Sequence, residues 1–384
     1  MKNKITAKQM EAMIALFLAG STMISGSSSG VARDKWLCII LAFLLVIPLL
    51  WVHTQILELY PGRDYFGNIE KACGKVFGKV VCVLLLPYTF LLGALVKKSF
   101  CQFLQTVNLT DTPFIFILLS IVIVEFYMSK KRIYVVARVC KFVLPFLLVT
   151  IALTCVLAFQ NMDFSNLQPV LQSDFTPMMS TTFLLLMLPF GETLVCAPAF
   201  GALDPKEKVF PVFFKGTLIG FAILLITSLR NLLVLGNSDD LFFYASYEAV
   251  GVVAIGDFFT RAAVIIGFNM LLAGFFKVCV TFYTCCKEVQ KIFNFDDYKP
   301  LFAPCGLILV TIIMVVSSNT EEVMNWLKFH ALFVLPFEVV IPVAVLIIAK
   351  LRKRAKAKKG PKAKVQKKAS AVQAPAEDVP PDQA

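Results

Sequence analysis

Glu192 is the side chain best placed to do chemistry, because it stands in the apolar stretch Leu188-Pro189-Phe190-Gly191-Glu192. A carboxylate at membrane depth is costly, so it must face the bundle interior, where it can hold an amine, gate a path or carry a proton. Its alternative use is an internal ion pair that serves structure alone. Lys97 and Lys98 pose the same question in another apolar run. Adjacent residues on a helix point about 100° apart, so only one of the two is expected to face inward. Glu338, between Pro336 and Pro342, is the second carboxylate of this kind. Glu125, Arg230, Arg261 and Lys277 fall nearer the ends of apolar runs, where snorkelling or an ion pair accounts for them. Arg261 nevertheless joins Lys97, Lys98 and Glu338 as a candidate for gating or coupling.

Backbone supplies the second chemical feature. Gly20-Ser21-Thr22 and Ser25-Gly26-Ser27-Ser28-Ser29-Gly30 interrupt the first apolar run with small, polar residues. Pro189 removes a backbone donor, and Gly191 permits an unusual dihedral. Unwound backbone at membrane depth is tolerated only where protein or a wet cavity satisfies it. Free N–H groups and positive half-helix ends suit a carboxylate or another anionic group. Gly20, Ser21, Thr22, Gly26, Pro189, Gly191 and Glu192 therefore form the expected binding set for a small polar ligand. Close helix packing through small residues is the alternative use of Gly20 and Gly26.

The elements that must position these residues follow from composition. The 384 residues are 58% hydrophobic and 16% charged, with a mean hydropathy of +0.78. Soluble domains are nearer half apolar and a quarter charged, so the fold class expected is an all-α integral membrane protein. A span needs about 20 residues. That length predicts crossings near 10–29, 36–57, 80–106, 113–128, 142–159, 179–200, 212–235, 256–279, 301–316 and 331–349. Lysines and arginines test the count. Arg63, Lys71, Lys75 and Lys79, then Lys130, Lys131, Arg132, Arg138 and Lys141, then Lys206, Lys208 and Lys215, then Lys287, Lys291 and Lys299 fall in alternate loops. The intervening loops are nearly free of them, which places both termini in the cytoplasm by the positive-inside rule.

Ten spans divide into five plus five, and because five is odd the second half enters with inverted orientation. Broken spans one and six then hold corresponding places in the two halves, the sequence pointer to a binding site at the membrane midplane. The organisation expected is a cytoplasmic N-terminus (1–9), a first repeat (10–159), an extracytoplasmic connector (160–178), a second repeat (179–349) and a basic, disordered cytoplasmic tail (350–384). The first apolar run is read as a retained span rather than a cleaved signal. The net charge of +12 owes much to Lys350–Lys368, which suits anionic lipid at the inner leaflet rather than nucleic acid.

The eleven cysteines form no Cys-x-x-Cys pair, and the two histidines, His53 and His330, lie far apart. Buried small hydrophobes explain the former better than a metal or redox site. No nucleophile–base pair or nucleotide loop appears, so no catalytic residue, metal or cofactor is expected.

Several sequence pieces carry a resemblance. They include Gly20-Ser21, Asp34 with Trp36, Tyr60-Pro61-Gly62-Arg63, Gly74 with Gly78, and Leu109-Thr110-Asp111-Thr112-Pro113. They continue with Ala137-Arg138, Asn166-Leu167-Gln168-Pro169-Val170, Pro189-Phe190-Gly191-Glu192, Leu235-Gly236, and Ile255-Gly256-Asp257-Phe258-Phe259 with Arg261. In order and spacing the chain resembles the B subunit of bacterial spore germinant receptors, in the amino acid–polyamine–organocation transporter superfamily. The resemblance implies a ten-span, LeuT-like subunit of the spore inner membrane that binds a nutrient such as an amino acid. It implies signalling with an A subunit and a lipoprotein C subunit, and a pocket around Gly20–Gly26 and Pro189–Glu192 lined also by spans three and eight. A proton-coupled amino-acid transporter and a non-binding scaffold are the competing functions. Asn269 in span eight and Lys131-Arg132-Ile133-Tyr134 depart from the family's usual pattern.

Overall fold

The computed structural model describes residues 4–20, 31, 33–60, 62–107, 109–251, 262–316 and 329–354. Its helices are α1 (Ala7–Ala19), α2 (Lys35–Glu58), α3 (Tyr65–Cys73), α4 (Lys75–Val107), α5 (Phe114–Lys130), α6 (Ile133–Ala158), α7 (Phe175–Leu185), α8 (Val209–Leu235), α9 (Ala245–Gly251), α10 (Ala262–Phe293) and α11 (Phe302–Val316). The last, α12, is Phe329–Arg354. Among the described residues, seven helical stretches are long and apolar enough to cross a membrane: α2, α4, α6, α7 with its continuation to Ala202, α8, α10 and α12. The shorter α1, α5 and α11 fall in order where three further crossings were expected, and α3 and α9 lie between crossings. The protein is thus a multi-pass membrane protein.

Contacts between loops sort them into two sets. At one face the Ile5 N–H bonds the Ala202 carbonyl at 2.9 Å, and the Asp204 N–H returns to the Ile5 carbonyl at 2.9 Å. Lys287 meets Asp64 at 2.9 Å and Lys291 pairs with Glu70, while Arg352 donates to the Ala72 carbonyl at 3.2 Å. At the other face Arg33 donates to Asn237 and the Gln168 carbonyl, and Lys35 pairs with Asp239 at 3.3 Å. Asp34 accepts from the Leu171 N–H at 2.7 Å and the Ser173 N–H at 2.9 Å. Burial pushes the Asp34 carboxyl up, but the hydrogen bonds from Ser173, Leu171 and Gln172 together outweigh it and leave it below its ordinary 3.8. These loop segments therefore fall into two contact sets.

Two boundaries differ from the sequence reading. Helix α4 begins at Lys75 rather than near 80, and α10 runs on to Phe293 rather than ending near 279. The charges toward the end of α10 are absorbed by other elements. Lys287 and Lys291 find Asp64 and Glu70, and the Glu288 carboxylate accepts from the Thr89 hydroxyl. Helix α12 also continues to Arg354, past the point where the tail was expected to start; 355–384 lie outside the described residues.

Helix α1 is buried along most of its length, and its tightest neighbour is α8. The reason is Gly216-x-x-x-Gly220, a small-residue pair that lets two helix backbones approach. A Cβ on Gly216 would lie 2.8 Å from Ile14 Cβ and 3.0 Å from the Glu11 carbonyl oxygen; one on Gly220 would lie 2.6 Å from Leu18 Cβ. Gly220→Ala is expected to destabilise the chain by about 1–3 kcal/mol, the usual cost of overpacking. Detergent-solubilised protein unfolded by heat would show it, and an unchanged midpoint would refute the close contact.

Candidate functional site

The break in the crossing that begins with α7 places the site. Helix α7 ends at Leu185, a wide turn spans Leu186–Phe190, and a tighter helical run continues from Gly191 to Ala202. Leu188, at φ −122° and ψ 112°, is the non-helical residue, and the following Pro189 has no N–H to extend the ladder. Gly191 is helical, at φ −64° and ψ −37°. The unusual dihedral expected of it is not there, and its service is space: a Cβ would run into the Glu338 carboxylate and stand 3.2 Å from the Leu186 carbonyl oxygen.

Glu192 leaves this break buried at 1% exposure and pairs with Lys277 of α10 at 2.5 Å. The Lys277 ammonium also lies 5.0 Å from the centre of the Phe17 ring on α1, a favourable cation–π position. Gly20 allows α1 to come this close, since a Cβ there would meet the Ala273 carbonyl oxygen at 2.9 Å and Lys277 Cβ at 3.1 Å. Such close packing is one of the two uses expected of Gly20. Further along α10, the Thr284 hydroxyl donates to the Val195 carbonyl at 2.6 Å, tying α10 to the second half of the broken helix.

Glu338 stands on the opposite side of Gly191. Its carboxylate accepts from the Tyr88 hydroxyl at 2.7 Å, and its backbone carbonyl lies 3.1 Å from His53 Nε2. The Tyr88 ring stacks on Phe337, with centres 5.5 Å apart and planes at 12°. Among the described residues, the second oxygen of the Glu338 carboxylate is buried without a hydrogen-bond partner. The outcome is a buried cluster in which α1, α2, α4, α10, α12 and the broken helix meet around two carboxylates and one ammonium. Such a site can exchange an internal ion pair for a bound charged or polar group, because the pair costs desolvation that a ligand can share.

The structure therefore brings together Gly20, Pro189, Gly191, Glu192 and Glu338 from the residues expected. Ser21, Thr22, Gly26 and Arg261 lie outside the described residues. Lys97 goes elsewhere: it pairs with Glu125 of α5 at 2.6 Å, both fully buried, and stands 5.3 Å from the Phe282 ring centre. Lys98 is buried as well, contrary to the expectation that only one of the two faces inward, because α4 packs against α5, α10 and α11. Glu125, Arg230 and Lys277 do not snorkel; all three are buried, and the ion-pair account holds for Glu125 and Lys277. Sequence reasoning missed Tyr88, His53 and Glu288 as members of buried polar contacts. Glu288 was hidden by ending span eight too early. The cysteines are free thiols, nearly all buried, and among the described residues no cluster of three or more His, Cys, Asp or Glu is arranged for a metal.

A bundle of this helix order, broken beside buried charge, defines a class, and solved structures of that class match it. The chain superposes on MhsT in complex with L-phenylalanine with a TM-score of 0.61 at 13% identity, covering 88% of this chain and 97% of that one. An Eremococcus coleocola manganese transporter gives 0.60 at 15% identity, covering 90% and 85%. Mhp1, a nucleobase-cation-symport-1 family transporter, in a closed conformation with bromovinylhydantoin, gives 0.56 at 12%, covering 89% and 78%. The fold is the LeuT-type transporter fold, with its five-plus-five inverted repeat. Residues 4–323 match the family described as spore germination protein, and the chain belongs to that family. It is 26% identical to Spore germination protein KB of Bacillus subtilis (strain 168) over 365 residues, which is 93% of this chain and 97% of that protein.

Proposed function

We propose that this chain is the nutrient-sensing subunit of a spore germination receptor, binding a small molecule such as an amino acid at the break between Leu188 and Glu192. The observation that carries this reading is the buried Glu192–Lys277 pair seated where α1 and the broken helix meet. A ligand shifts a two-state protein only through a difference in affinity for the two states. Competition for Glu192 or Lys277 supplies that difference, because the pair must loosen for a charged ligand to enter. Output then passes to an A subunit and a lipoprotein C subunit, with both termini in the cytoplasm and the basic residues after α12 on anionic lipid. The first repeat is 10–159, the connector 160–178 and the second repeat 179–349.

Thermal-shift screening of the purified chain against amino acids, sugars, nucleosides and inorganic ions tests the binding. A nutrient at about 100 times its Kd stabilises by about 2.7 kcal/mol, and Glu192→Gln is expected to abolish the shift. No nutrient response in folded wild-type protein would sink the reading and leave a scaffold role. The shared fold favours one second reading, a proton-coupled transporter. Concentrative uptake into liposomes, lost in Glu192→Gln, would favour that transporter over a sensor.

A further inference from the structure

A second cavity, separate from the Glu192–Lys277 contact, opens between α1, α6, α8, α9 and α10. It is lined by Ala19, Ala273 and several aliphatic side chains, but also by Thr154, Thr227, Arg230, Ser246 and Asn269. Arg230 decides its chemistry. It stands five residues before the end of α8, about 7–8 Å along the axis from Leu235, and is only 2% exposed. Among the described residues no carboxylate lies within ion-pair distance of it. Asp239, an acidic group whose field reaches it, is held by Lys35 at 3.3 Å.

Among the described residues, the guanidinium is held by neutral acceptors only. Nη1 donates to the Thr154 hydroxyl at 2.9 Å. Nη2 donates to Asn231 Oδ1 at 2.8 Å and to the Ser246 carbonyl at 3.4 Å, and Nε donates to Asn231 Oδ1 at 3.3 Å. An arginine has five N–H donors, and these contacts use four, leaving one on Nη1 for a further acceptor. The Ser246 hydroxyl accepts from Asn231 Nδ2 at 3.0 Å, so its own hydrogen is also free to donate. Asn269 completes the polar lining, held by the Thr150 hydroxyl at 2.7 Å. A buried cation with no paired anion is costly, and spare donors around it converge on the cavity.

We infer that this cavity is an anion-recognition site, in which Arg230 and Ser246 bind a compact monovalent anion, either the carboxylate of a small ligand or a free inorganic ion. Reading that carboxylate as part of the nutrient rests on the proposed function; the anion site itself does not. Ala19 and Ala273 line this cavity, and Ala273 is one helical turn from Lys277. The cavity, about 30 Å³, has room for one compact anionic group.

The test uses the full chain in detergent at constant ionic strength, with bulky gluconate as the background anion. The probes are acetate, chloride, L-alanine and alaninamide, which keeps the amine of alanine but has no carboxylate. Acetate or chloride is expected to raise the Tm of wild-type protein, and alaninamide to leave it unchanged. Arg230→Gln is expected to weaken the apparent affinity at least about 30-fold, and Arg230→Lys less, since it keeps a charge without the fork. Should Arg230→Gln not fold, Ser246→Ala gives the milder reading, a loss of about 5-fold. A response to acetate and chloride but to no nutrient keeps the anion site and removes the nutrient reading. A response to L-alanine that Glu192→Gln abolishes but Arg230→Gln leaves intact keeps the nutrient reading and shows that the anion is not the nutrient's carboxylate, whereas acetate and chloride responses that Arg230→Gln leaves intact overturn the anion site. Absence of any anion response in wild-type protein also overturns it.

Discussion

Lys277→Met is expected to destabilise the folded chain by about 3–5 kcal/mol, the cost of leaving a buried charge without its partner. Glu192 and Lys277 approach to 2.5 Å with side chains 2% exposed, so neither can recover its hydration by a small movement. The two single substitutions differ in what they strand. Glu192→Gln leaves an ammonium that still has the Phe17 ring at 5.0 Å. Lys277→Met leaves a carboxylate whose neighbour across Gly191 is a second carboxylate, Glu338. The lysine substitution is therefore the more damaging of the two. The double variant, Glu192→Gln with Lys277→Met, removes both charges and is expected to lie closer to wild type than either single variant, since apolar or neutral replacements of a buried pair are often tolerated. Unfolding titrations of all four proteins in mixed micelles give the coupling directly. Additive losses would mean that the pair does not act as a unit. A folded double variant that no longer responds to nutrient would separate the role in binding from the role in stability.

The same pair shows where sequence reading reaches and where it stops. Apolar runs and the placement of lysines were enough for the order of the spans, because both report on the solvent that each residue meets. The break at Pro189 was legible for the same local reason, a missing donor. Lys277 was misplaced at a membrane border because α10 was ended near 279. A hydropathy pattern stops at Lys287, Glu288 and Lys291, whereas the folded chain pairs the two lysines with Asp64 and Glu70 and gives Glu288 a hydrogen bond from Thr89, all from elements far away in sequence. Helix α10 then runs to Phe293, and Lys277 becomes a mid-helix residue. Long-range pairing of this kind leaves no periodic trace. Gly216-x-x-x-Gly220 has the spacing of a packing motif, but only the structure says that α1 fills it. Arg230 was visible as a charge near a helix end; that it is buried among neutral acceptors depends on α6 and α9, which no local pattern supplies.

Gly191→Ala is expected to cost about 3–5 kcal/mol, more than its size suggests. The dihedrals at this position, φ −64° and ψ −37°, suit any residue, so backbone strain contributes nothing and the whole effect is steric. The added methyl would overlap a Glu338 carboxylate oxygen and lie 2.9 Å from the carboxyl carbon. That carboxylate cannot simply swing away. Its other oxygen holds the Tyr88 hydroxyl at 2.7 Å, Tyr88 is stacked on Phe337, and the Glu338 carbonyl is met by His53. Moving it therefore adds the loss of a charge-assisted hydrogen bond, about 1.5–3 kcal/mol, to the overpacking cost of about 1–3 kcal/mol. Glu338→Ala alone is also destabilising, because it leaves the Tyr88 hydroxyl buried without its acceptor. In the double variant, Gly191→Ala with Glu338→Ala, the added methyl enters space that the shortened side chain has vacated, so the combined loss is expected to be smaller than the sum of the two. A thermal-unfolding cycle on the four proteins measures this. If Gly191→Ala proves as stable as wild type, or if the two losses simply add, the contact between the broken helix and Glu338 is not the one that fixes this position.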